Sequence, residues 1–279
     1  MRIVTYRSAR GARAGLMLDS AVADAWDALG GDGSSVRDLL ASGRLEDLEG
    51  IGPSGAETSL DEVKLLPPVP DPDKIVCIGL NYRAHAAEAG IEPPEAPTFF
   101  AKFRNALAPA GGSVALPAAS RKVDFEAEVA FVIGSKCAAV DVSEAADCVA
   151  GYTLLNDLSA RDLQFATPQW MPGKVFDGSA PCGPALVTSE EAIADGAIHF
   201  SLALNGERMQ EASTDDLIFN VPQLVAHLSR LMTLEPGDIV STGTPSGVGS
   251  TRNPRVWLKA GDEITISSPT LGRLETRIA

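Results

Sequence analysis

Apolar and polar positions alternate in many short runs along the chain, a period of two that predicts strands. The runs RIVTYR, AGLMLDS and AVADA open it, and SSVRDLLASG follows as a helix capped by Ser34 or Ser35 and ended by Gly43. LLPPVPDPDK then places four prolines within six residues, a stiff connection that marks a domain boundary near residue 70. Beyond it, KIVCIGLNY predicts a strand ending in a glycine turn, RAHAAEAG a short helix closed by Gly90, and APTFFAKF another strand. HFSLALNGE is a hairpin arm turning at Asn-Gly, and NVPQLVAHLSRLMTL has helical spacing at Val221, Leu224, Val225, Leu228 and Leu231. PGDIVSTGTPSGVG, KAGDEITIS and GRLETRI supply further strands. Long parallel βαβ repeats are missing. The pattern predicts an α+β, β-rich chain, with a small N-terminal α/β domain over residues 1–70 and a larger domain over 71–279.

One strand breaks the rule. In RKVDFEAEVAFVIG, Val123, Phe125, Ala127, Val129, Phe131 and Ile133 form a core face. The opposite face carries Lys122, Asp124, Glu126 and Glu128, then turns apolar at Ala130 and Val132. A solvent face should stay polar, so the strand is expected to enter covered territory just past Glu128. Neighbouring carboxylates there repel each other and lose hydration, costs that a divalent cation offsets. An exposed edge strand kept charged against aggregation remains open on this segment alone. Asp157 follows the apolar run GYTLL, where a strand ends, and would complete a three-carboxylate, all-oxygen site with Glu126 and Glu128. Such ligands favour Mg2+, Mn2+ or Ca2+ over zinc.

Composition narrows the partners. The 279 residues carry a formal net charge of −14, which repels phosphate backbones and makes nucleic acid an unsuitable partner. An acidic protein that takes an acid as substrate must supply local positive charge, for which Arg161, Lys174 and Lys102 are candidates. No run approaches a membrane span, no export signal opens the chain, and the four cysteines are scattered, so a cytoplasmic protein with free thiols is expected. His85 and Glu88 are spaced i, i+3 on a short helix, where a carboxylate can fix the imidazole tautomer of a general base. Spacing alone also fits an exposed histidine on a polar loop.

The order of GLNYRAHAAEAG, PTFFAKF, VDFEAEVAFVIG, GYTLLNDLSARDLQF, GKVFDGSAPCGP, LNGERMQEASTDDLIF and GDIVSTGTPSGVG resembles the fumarylacetoacetate hydrolase family over residues 74–279. The likeness is to bacterial acylpyruvase-like and 2-hydroxyhepta-2,4-diene-1,7-dioate isomerase-like members, and the N-terminal part is similar to their small extra domain. The resemblance implies a mixed β-sandwich roll, a homodimer, and one Mg2+ (or Mn2+) held by Glu126, Glu128 and Asp157. It implies a lid on which His85 and Glu88 activate water, with Lys174 reaching the substrate oxygens. It assigns Lys102, Arg161, Gln164 and Thr244 to substrate binding. The implied activity is hydrolysis of a C–C bond in a 2,4-dioxo acid, a small dicarbonyl substrate, giving pyruvate and a carboxylic acid. Oxaloacetate decarboxylation and 2-oxo acid tautomerisation or isomerisation are alternatives on the same metal site. A Ca2+-binding module without catalysis would give His85, Glu88 and Lys174 no reason to converge. Trp170 and Met171 are expected to cover an apolar substrate tail, and Asp124 to lie behind the site or at the surface.

Overall fold

The computed structural model describes residues 1–279. Its strands form two large mixed sheets, as expected of a β-rich roll, and a two-stranded one that pairs Val123–Asp124 with Ser159–Ala160. The path through the twelve-stranded sheet runs Thr58–Ser59, Ala21–Asp24, Gly11–Leu18, Arg2–Ser8, Ala180–Thr188, Val149–Asn156, Ala127–Ile133, Ile239–Ser241, Ile75–Gly79 and Thr98–Lys102. Most neighbours are antiparallel, but Ile239–Ser241 runs parallel to Ile75–Gly79. A second sheet orders Glu207–Ser213, His199–Leu204, Glu263–Ser268, Gly272–Ile278 and Gly112–Val114. The hairpin between its first two strands turns at Asn205 and Gly206, both at positive φ, as the Asn-Gly signal requires. No helix is long and apolar enough to cross a membrane.

The 127–133 strand is not an edge. It pairs on one side with Val149–Asn156 and on the other with Ile239–Ser241, and all of its residues are buried. Val129, Phe131 and Ile133 pack between the sheets with Phe200, Leu202 and Ile266, and with Leu224 and Leu228 of helix Val221–Leu231. Ala130 and Val132 point the other way, into a cluster with Ile3, Leu16, Trp26 and Leu39. The covering that the sequence pattern required past Glu128 is therefore the N-terminal region.

That region extends the same sheet, because Arg2 and Ile3 pair with Val187 and Leu186. Its helix spans Val36–Ala41, with Ser35 and Asp38 closing a capping box and Gly43 in the left-handed region after its end. A Cβ on Gly33 would lie 2.3 Å from the Trp26 ring, so the loop needs glycine to cover that indole. Arg13 Nε and Nη2 each donate to Asp24 at 2.6 Å, and Tyr6 donates to the same carboxylate at 2.8 Å. All four cysteines are buried free thiols.

Candidate metal centre and active site

The carboxylates gather where two strands end together. The backbone leaves regular pairing at Phe125 and Glu126, between Val123–Asp124 and Ala127–Ile133. Glu126 N donates to Asn156 Oδ1 at 3.1 Å, and Asp157 N donates to Glu126 O at 2.9 Å. This ladder end brings ligand atoms of Glu126, Glu128 and Asp157 within 4.8 Å of one another, all buried.

Three cations meet four carboxylates there. Lys174 Nζ donates to Glu126 at 2.6 Å and to Asp157 at 2.8 Å. Lys102 Nζ donates to the other Asp157 oxygen at 2.5 Å, and Arg161 Nη2 bridges Glu126 at 2.7 Å and Asp124 at 2.8 Å. Glu128 has no cation. It accepts from the Ser241 hydroxyl and from Gly243 N at 3.1 Å. Burial pushes Glu126 up, but Arg161 and Lys174 outweigh it and hold the carboxyl at about 2. Burial, then Asp157 and Glu126, push Glu128 well above the usual carboxylate range. Burial lowers Lys174, yet the charges of Asp157 and Glu126 leave it raised. With all four carboxylates ionised, as ligation requires, the surplus over the three cations is one negative charge at an all-oxygen donor set, which fits a hard divalent cation.

The glycine-rich loop after Ser241 holds anions through its backbone N–H groups, and the anions are the protein's own. Gly243 N serves Glu128, Gly247 N donates to Glu88 at 3.0 Å, and Gly249 N donates to Asp124 at 2.7 Å. A Cβ on Gly249 would lie 2.1 Å from Val256 O and 2.7 Å from the Asp124 carboxylate, so this turn admits only glycine. Asp124 is fully buried, with Arg161, Gly249 N and Ser250 N around it, which removes the surface alternative expected for it.

His85 and Glu88 lie on helix Arg83–Ala89, closed by Gly90 at φ 66°. His85 Nδ1 and Glu88 Oε2 are 3.0 Å apart. A carboxylate only accepts, so Nδ1 carries the proton and Nε2 keeps a free lone pair. The helix grows from Leu80, whose φ of 47° makes the turn expected of a glycine. Its N-cap Tyr82 makes no side-chain cap, and Asp216 from the chain after the hairpin accepts from Ala84 N at 3.0 Å instead. Arg83 donates to Leu217 O at 2.6 Å, so the same connection pins this helix twice.

A cavity of about 290 Å3 joins these parts, lined among others by His85, Glu126, Glu128, Asp157 and Lys174. Arg161, Gln164 and Thr244 also line it. Gln164 accepts from Arg161 Nη1 at 3.0 Å, while the Thr244 hydroxyl donates to Ala127 O and accepts from Gln210. Lys102 does not line the cavity: its side chain is sealed behind Asp157, so it acts on that carboxylate from the rear. Trp170 forms a wall, packed edge-on against Phe100 at 5.8 Å, whereas Met171 stays outside. Lys174 Nζ sits 4.9 Å from the Phe100 ring centre. Sequence reasoning missed Ser241, Gly243 and Asp216; only the glycine run carried a hint, and an isolated serine or aspartate carries none.

Residues 74–279 match the family described as Fumarylacetoacetate (FAA) hydrolase C-terminal. The chain is 40% identical over 219 residues to Oxaloacetate tautomerase FAHD2B, mitochondrial, of Bos taurus, covering 78% of this chain and 70% of that one. It is 30% identical to the solved fumarylacetoacetate hydrolase EaFAH of Exiguobacterium antarcticum, with a TM-score of 0.86 over 100% of this chain and 99% of that one. The maleylpyruvate hydrolase structure from Sphingobium sp. SYK-6 is 30% identical as well, with a TM-score of 0.81 over 100% and 99% of the two chains.

Proposed function

The chain belongs to the fumarylacetoacetate hydrolase family of enzymes, and from that membership we propose that it hydrolyses a C–C bond in 2,4-dioxo acids of the acylpyruvate type. The observation that carries the reading is one cavity lined by both His85 and the Glu126–Glu128–Asp157 cluster. Those three carboxylates would hold Mg2+ or Mn2+. When bound, the ion supplies a Lewis-acid charge that polarises the substrate's carboxylate and 2-oxo group.

The remaining chemistry falls to side chains. His85 Nε2 takes a proton from water while Glu88 holds Nδ1 and stabilises the imidazolium. The hydroxide adds to C4, and the C3–C4 bond breaks with its electron pair moving onto C3 and the 2-oxo oxygen. Lys174 directs two protons at Glu126 and Asp157, which leaves its third available to donate to that oxygen. The proton returned to C3 gives pyruvate, and the C4 side leaves as a carboxylic acid. Gln164 and Arg161 border the substrate, and Thr244 shapes the wall. The same reading takes the protein as a cytoplasmic homodimer.

Pyruvate release from acylpyruvates in the presence of Mg2+ tests the reading. Replacement of His85 by Asn is expected to lower kcat by about 10^2 to 10^4, leaving metal affinity unchanged by calorimetry. An unchanged kcat removes His85 from the scheme. A second reading, keto–enol tautomerisation of oxaloacetate, draws on the name of the bovine relative. It needs proton transfer at C3 but no attacking water. Loss of the enol absorbance of oxaloacetate without pyruvate release from any acylpyruvate would favour it.

A further inference from the structure

We propose that the site selects substrates whose tail beyond C4 is uncharged and apolar, with Phe165 and Ile91 as the residues that read it. The inference rests on the 2-oxo acid reading above. Every charged side chain on the cavity wall belongs to the carboxylate cluster and its cations, and His85 is already paired with Glu88. Arg161 and Lys174 are the wall's only Arg and Lys side chains, and each already bridges two carboxylates. Arg252, next in the chain after the glycine loop, donates to the carbonyls of Gly247 and Met209 instead.

Charge balance points the same way. Ligation needs ionised carboxylates. Asp124, Glu126, Glu128 and Asp157 then exceed Arg161, Lys174 and Lys102 by one negative charge. A divalent ion converts that to one positive charge in surplus, which a single substrate carboxylate cancels. A second carboxylate would find no unengaged cation on the cavity wall, because Arg161 and Lys174 are already paired.

The rest of the wall is neutral. Phe165 is 67% exposed and Ile91 54% exposed, although both line the cavity. Large apolar side chains left open at a cavity mouth gain most from an apolar ligand. Trp170 backs them, standing over Gly79, where a Cβ would lie 2.5 Å from the indole. Gly79 thus leaves the ring its place against the strand.

Calorimetry on the Mg2+-loaded protein tests this with two series of 2-oxo acids. One has straight alkyl tails, from 2-oxobutanoate to 2-oxooctanoate; the other ends in a second carboxylate, from oxaloacetate to 2-oxoadipate. Affinity is expected to rise up to about fourfold per methylene in the alkyl series. The dicarboxylates are expected to bind at least about tenfold more weakly than alkyl acids of equal length. Phe165→Ala, at an exposed position that folding tolerates, should halve the gain per methylene. Equal or tighter dicarboxylate binding, a flat alkyl series, or no binding in either series overturns the proposal. Alkyl preference without cleavage of any acylpyruvate would sink the hydrolase reading and leave the tail preference standing. Cleavage indifferent to tail charge would do the reverse.

Discussion

Glu128 differs from Glu126 and Asp157 in having no cation against it, only the Ser241 hydroxyl and Gly243 N. That asymmetry makes it the group whose charge depends most on a bound ion. A ligand that binds only the folded state raises stability by mass action. Millimolar Mg2+ or Mn2+ is therefore expected to raise Tm of the protein by several degrees, roughly 2–4 °C for each kcal/mol of linkage. Glu128→Gln keeps the shape of the side chain and removes its charge, so thermal melts should show that increment lost. An undiminished increment would mean the ion binds elsewhere. At this scale the sequence was informative about carboxylates on one strand face, because alternation is local. It could not rank Asp124 against Glu126 and Glu128, since Arg161 and the glycine turn reach Asp124 from 37 and 125 residues away.

Helix Arg83–Ala89 is short, has no side-chain N-cap of its own, and is held by Asp216 and by Arg83 on Leu217 O. Asp216→Ala removes the trans cap at a cost of about 1 kcal/mol. Hydrogen exchange at the amides of 83–90 is expected to quicken by about fivefold, with the Mg2+-dependent rise in Tm unchanged. Unaltered exchange would show that Arg83 alone pins the helix. In the N-terminal region, Asp24 is pushed up by burial, but Arg13 and the Asp27 amide outweigh this and hold it below its ordinary value. A depressed folded pKa gives stability that is complete above the unfolded value near 3.9 and is lost as pH falls through the folded one. Asp24→Asn should therefore melt below the unsubstituted protein at pH 7, and the gap should narrow below about pH 4. A constant gap down to about pH 3 would assign the loss to packing instead. The helices at 36–41 and 221–231 were legible because their caps lie within three residues. The N-cap that Asp216 supplies to helix Arg83–Ala89 lies 132 residues away and was not.

Across the whole molecule, the central sheet is covered on both faces, and residues 1–70 supply one of the covers. Without them Ala130, Val132, Leu155, Leu186 and Ile239 would face water. Residues 71–279 expressed alone are expected to aggregate or to bind a hydrophobic dye strongly; a soluble, cooperatively melting fragment would show that the second face does not need its cover. By itself the sequence determined the strand periods, the capped helices, the Asn-Gly hairpin and the family motifs, all set within a few residues by backbone sterics and local hydrogen bonds. Only the tertiary structure decided that Lys102 lies behind Asp157 rather than on the cavity wall, that Glu128 lacks a cation, and that the glycine loop holds Glu88, Asp124 and Glu128. Those facts depend on which strand ends meet. Meeting is settled by burial of the whole sheet, a sum over the chain that no short window contains.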